Sequence, residues 1–117
     1  MAECTDKDLV DRKARWLLWG IPSAMIVAGS FVAVELRTWL WTAAFTAAGA
    51  ACVLNAARCR RTHCYITGPL FLVLALASAL EGAGLISIGW AWIGVAAVVG
   101  VAVAYRVERA RGKYAHP

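Results

Sequence analysis

Hydrophilic chain is what this sequence has least of. Its 117 residues are 62% hydrophobic, with a mean hydropathy of +0.65, and both polar tails are too short for a soluble domain. Soluble domains are nearer half apolar and carry their apolar residues in periodic stripes. Other absences narrow the function. The sequence has no glycine-rich phosphate-binding loop, which argues against direct use of ATP. It has no Cys-x-x-Cys pair and only two histidines, so a thiol redox enzyme and a haem protein both have little to build on. The start "MAECTDKDLVDRKAR" does not read as a secretory signal, because the apolar block behind it is too long and lacks a small-residue cleavage site.

What is present is four apolar blocks, each about as long as a bilayer crossing of roughly 20 residues requires, the last being the shortest. They cover 16–36, 39–57, 69–88 and 90–105. Only helices and closed barrels span a bilayer, and blocks this long and evenly apolar are helices. The expected fold is therefore all-α: an integral membrane four-helix bundle, one domain over residues 1–117.

Charge sets the expected orientation. Eleven of the twelve lysines and arginines fall on the amino-terminal tail, the segment between the second and third blocks, or the carboxy-terminal tail; only Arg37 falls opposite. By the positive-inside rule both termini are cytoplasmic, in a multi-pass protein of the cell (inner) membrane. Such clustered basic residues fix orientation rather than bind nucleic acid. Trp16 and Trp19 then sit at the inner interface, and Trp39, Trp41, Trp90 and Trp92 at the outer one. The outer loops are too short for a receptor domain. Small residues four apart, such as Ser78 and Gly82 or Ala96 and Gly100, suit close helix packing and leave a homo-oligomer open. Thr5 and Asp8 have capping-box spacing. Pro69 suits the first turn of the third helix, and Pro22 is expected to bend the first.

The chemistry-bearing stretch is "RCRRTHCYIT", residues 58–67, expected as a cytoplasmic loop. Cys52 and Cys59 are seven apart on one helix face, about 10 Å along the axis, and His63 and Cys64 follow in the turn. Thiols at graded depth, next to Arg58, Arg60 and Arg61, make nucleophiles and ligands. Cys4 lies on the same side and is a further candidate. Thiolates select soft ions such as Cu(I), with Hg(II) expected to behave alike. A reducing cytoplasm disfavours a structural disulfide, and zinc sites prefer two close-spaced doublets. The alternative is that Cys52 fills space and the loop is a basic anchor.

Glu81 lies about 18 Å along the third helix from Pro69, where an ionisable residue is by default a functional candidate. Glu81 and Asn55 are the expected pathway residues; the alternative is a protonated Glu81 bonded to Asn55, Ser78 or the backbone. Glu35 and Arg37 read as an interfacial pair.

With its few loops and its cysteines at the membrane boundary, the chain resembles the mercuric-ion transporters of bacterial mercury resistance. The run "CRRTHCYITGP" also looks like a Cys-x4-Cys-x3-Gly-Pro signature of small prokaryotic membrane proteins. The first resemblance implies inward passage of Hg(II), with thiols as exit ligands. Those transporters carry a cysteine pair in their first helix and this chain does not, so no residue roles carry over. The expectation is a membrane transporter, not an enzyme, without a resident cofactor. It would move Hg(II) or Cu(I) by a relay of Cys52, Cys59, His63 and Cys64, with the bilayer and a cytoplasmic thiol acceptor as partners. The competing expectation is a proton-coupled exporter of the small multidrug resistance type, working through Glu81.

Overall fold

In a computed structural model that describes residues 14–112 and 114, the chain forms four helices. These are α1 (Ala14–Gly29), α2 (Val34–Cys59), α3 (Cys64–Gly82) and α4 (Trp90–Arg111). Among the described residues the only strand-like pairing is one antiparallel bridge, Arg61 to Tyr114. The protein is an all-α membrane bundle: α2, α3 and α4 are long and apolar enough to cross a membrane, and the apolar part of α1, Trp16–Gly29, is shorter. The Thr5–Asp8 box and Cys4 lie outside the described residues.

The helix ends differ from the sequence expectation, for local reasons. The first apolar block breaks after Gly29, seven residues before its expected end, and α2 starts at Val34 rather than at residue 39. Arg37 accounts for the break. Its Nε donates to the Gly29 carbonyl at 2.9 Å and its guanidinium to that of Val32 at 3.2 Å, satisfying orphan carbonyls where α1 stops. Arg37 thus serves the turn, and its guanidinium stands 5.5 Å from the Trp90 ring, rather than pairing with Glu35.

The polar stretch is tighter than a loop. α2 runs to Cys59, and Arg60 takes the left-handed conformation (φ 54°, ψ 37°) while its N–H donates to the Ala56 carbonyl. That is a helix stop usually given to glycine. α3 begins at Cys64, so only residues 60–63 connect the two helices. Pro69 therefore lies inside α3, past the first turn where it was expected. α3 also stops at Gly82 rather than at residue 88, because Gly84 turns the backbone at φ 78°.

α2 and α3 form the central antiparallel pair, with α1 packed on α2 and α4 on α3. Glycines set the separation. A Cβ on Gly68 would stand 2.8 Å from Val53 Cγ2, and one on Gly49 3.0 Å from Leu72. In lipid, where burying apolar surface gains little, such close approach is a main source of helix association. Trp41, Phe45, Phe71, Leu74 and Ile93 fill the core. Trp41 is thus a core residue rather than an interfacial one: it is 5% exposed, and its indole N–H donates to the Ile26 carbonyl. Trp16, Trp39 and Trp92 are exposed as interfacial tryptophans should be. Between α1 and α4 runs an apolar groove of about 380 Å³, lined by Trp19, Pro22, Phe45, Phe71 and Val98 among others.

Two consequences are measurable in detergent. Gly68→Val should lower the thermal midpoint by the equivalent of about 1–3 kcal/mol, the usual cost of overpacking; an unchanged midpoint would mean the two helices do not meet there. Ser78 Oγ is buried without a hydrogen-bond partner, and such a group costs about 1–3 kcal/mol. Ser78→Ala should therefore leave the midpoint unchanged or raise it, and a clear drop would reveal a partner for the hydroxyl.

Candidate metal centre

The turn at 60–63 folds the end of α2 against the start of α3 and so brings three ligands together from two helices. Cys52 Sγ, His63 Nε2 or Nδ1, and Cys64 Sγ all lie within 4.8 Å of one another, and all three residues are buried. His63 and Cys64 are 0% exposed, which for a histidine demands partners for both ring nitrogens.

One partner is Glu108 near the end of α4, whose Oε1 lies 2.9 Å from His63 Nδ1. A carboxylate only accepts, so Nδ1 carries the proton and donates. Nε2 is left with its lone pair, 3.5 Å from Cys64 Sγ. Metal-binding histidines commonly have this second interaction, a carboxylate fixing ring and tautomer from behind. Glu108 is itself anchored by Arg61, whose Nε donates to Oε1 at 2.8 Å and whose terminal nitrogen donates to Oε2 at 3.3 Å. The His63 backbone N–H adds a 3.4 Å bond to Oε1. The ring stacks on Tyr105 with centroids 4.4 Å apart and planes 19° from parallel, and Trp19 lies against it at 6.2 Å.

The sulfurs have partners too. Asn55 Nδ2 donates to Cys64 Sγ at 3.7 Å, and Thr67 donates its hydroxyl to Cys52 Sγ at 3.4 Å. The end of α4 closes the turn from outside: the Thr62 hydroxyl donates to the Gly112 carbonyl at 2.6 Å, and the Arg61 guanidinium stands 5.9 Å from the Tyr114 ring.

Of the residues singled out by sequence, Cys52, His63 and Cys64 form the trio, and Asn55 joins it as a donor to sulfur. Cys59 is buried at the end of α2 but is not one of the clustered ligands. Glu81 sits in the last turn of α3, where its Oε2 accepts the Ile88 N–H at 2.9 Å, holding the connection to α4. It shares no contact with Asn55, which lies at the other end of α3 beside Cys64. Sequence reasoning missed Glu108, Thr67 and Tyr105. Glu108 had one signal: it is the only acid after Glu81, in a segment otherwise charged by Arg106, Arg109, Arg111 and Lys113.

No protein-family profile matches this chain, and no curated protein or solved structure is a significant match to it.

Two thiols and an imidazole within 4.8 Å can hold one ion in two- or three-fold coordination. With metal–sulfur bonds of about 2.3 Å, the sulfur separation allowed here covers bond angles up to roughly linear. If Glu108 sets the His63 tautomer, Glu108→Gln should weaken soft-metal binding by about 10–100-fold, the usual effect of losing such a partner. A competition titration of purified protein against a thiol chelator measures this. Unchanged affinity would remove His63 from the ligand set.

Proposed function

We propose that the protein is a multi-pass membrane carrier for a soft thiophilic metal ion, Hg(II) foremost, with Cys52, His63 and Cys64 as its exchange ligands. The observation that carries this reading is the buried trio itself, two sulfurs and one oriented imidazole nitrogen in a membrane-spanning bundle. Sulfur ligands favour soft ions over Mg²⁺ or Ca²⁺. Charge then separates the soft ions. A divalent cation with two thiolates is neutral, whereas Cu(I) with two thiolates leaves a net negative charge. Burying uncompensated charge is costly, so the enclosed site favours the divalent soft ion. Structural zinc sites close with four protein ligands, and among the described residues this group offers three.

The trio stands at one end of the bundle, beside the turn that joins α2 to α3 and the last turn of α4. By the charge distribution this end faces the cytoplasm of a cell whose inner membrane holds the protein, where a soluble thiol acceptor is at hand. Thiol ligands suit such a hand-off, because a new thiolate can join the ion before an old one leaves. The exporter alternative draws less support, since its carboxylate, Glu81, already accepts a backbone N–H where α3 ends.

Hg(II) accumulation in cells is the test. Cells making the wild-type protein should differ from cells without it, upward for an importer and downward for an exporter. Cys52→Ser and Cys64→Ser should erase the difference, and Cys59→Ser should keep most of it. Equal accumulation with wild-type and cysteine-free protein at matched expression would overturn the proposal.

A further inference from the structure

The residues that converge on Cys64 are arranged for thiol chemistry as well as for ligation. Its sulfur lies 3.5 Å from His63 Nε2, the nitrogen that can accept a proton when the ring is neutral, and 2.9 Å separates His63 Nδ1 from the Glu108 carboxylate. A nucleophile beside a base, with the base oriented by a third group, is the general signature of an activated nucleophile. Cys64 is also the first residue of α3, a helix of 19 residues, where the helix dipole favours negative charge. The Asn55 amide donates to the same sulfur. Cys52 Sγ waits within 4.8 Å as a second thiol, held by the Thr67 hydroxyl. The two cysteines are twelve residues apart and belong to different helices, so the pair exists only in the fold.

We propose that Cys52 and Cys64 are a redox-active dithiol that hydrogen peroxide closes into a reversible disulfide, with Cys64 attacking and Cys52 resolving. The inference stands on the thiol geometry and does not need the transport reading. In the first step His63 Nε2 takes the Cys64 proton and the sulfur attacks one peroxide oxygen. The O–O bond breaks, Cys64 becomes a sulfenic acid, and the departing hydroxide takes the proton from His63 and leaves as water. In the second step the Cys52 sulfur attacks the Cys64 sulfur. The S–S bond forms, the S–O bond breaks, and the hydroxide leaves with the proton of Cys52 as a second water. Two thiols have given two electrons to one peroxide. A small dithiol reverses the change by exchange and is itself oxidised. The sulfurs have at most 4.8 Å to close, against a bond of about 2.05 Å. Peroxide is small and uncharged, as an oxidant must be to enter a site this enclosed.

Oxidation and metal binding exclude one another, because the disulfide removes both sulfur ligands and a bound ion occupies both thiols. The test uses the full chain in detergent with Cys4→Ser and Cys59→Ser, so that only the pair can react. Peroxide should produce an intrachain Cys52–Cys64 disulfide, located by peptide mass, that dithiothreitol reverses and prior loading with Hg(II) prevents. Adding Cys52→Ser should trap a sulfenic acid on Cys64 that dimedone labels. Adding His63→Gln should slow its formation about a hundredfold, the usual share of a general base. Thiols that stay alkylatable after peroxide, or a disulfide formed only between chains, would overturn the proposal; the same peptide mapping on the wild-type chain shows whether the Cys4→Ser and Cys59→Ser background has changed the outcome. A disulfide that forms in protein unable to bind Hg(II) would leave this inference standing and remove the transport one; Hg(II) binding without a disulfide would do the reverse.

Discussion

The Glu108 carboxylate holds the site together. It comes from the last turns of α4 and is met by two residues of the α2–α3 turn, Arg61 and His63. Each would be costly to bury alone. Glu108 gives Arg61 a countercharge and His63 Nδ1 an acceptor in a place where both side chains are buried. Together they balance, and the balance has a direction: fixing the proton on Nδ1 aims the Nε2 lone pair at the sulfurs. One carboxylate thus ties the end of α4 to the turn and orients the His63 ring.

The sequence carried the bundle plainly and the site in part. The four apolar blocks were legible because bilayer thickness dictates length. Their ends were not, because each is decided by a single local contact. Arg37 stops α1 by donating to its last carbonyl, that of Gly29, and to that of Val32 just beyond, and the left-handed Arg60 allows a four-residue turn where a longer loop was expected. That short turn explains the site. With α2 extended to Cys59 and α3 starting at Cys64, Cys52 and Cys64 face each other across the seam, while Cys59, read as a ligand from its spacing, is carried outside the cluster. Spacing along one helix favoured Cys59; packing between two helices favoured Cys64. Glu108 was masked by its setting, one acid among arginines that were counted only for orientation. Glu81 misled in the opposite way, because its depth was judged on a helix drawn to start five residues late and end six residues late.

The same contacts tie α4 to the trio. α4 buries little of itself: within the helix only Ile93, Ala104 and Glu108 are buried, so most of its length faces lipid. Its hold on the turn is concentrated in the polar contacts of its last turns, Glu108 to Arg61 and His63, Gly112 to Thr62, and the stacking of Tyr105 on His63. Along its apolar length α4 packs closely where it meets the bundle: Ile93 is buried, Trp90 lies edge-on to Trp41, and a Cβ on Gly100 would collide with Leu70. The α2–α3 pair is fixed independently by the close approaches at Gly49 and Gly68. The two sulfurs belong to the α2–α3 pair, whereas the carboxylate against His63 belongs to α4. The carboxylate–histidine contact therefore exists only where the end of α4 packs on the α2–α3 turn.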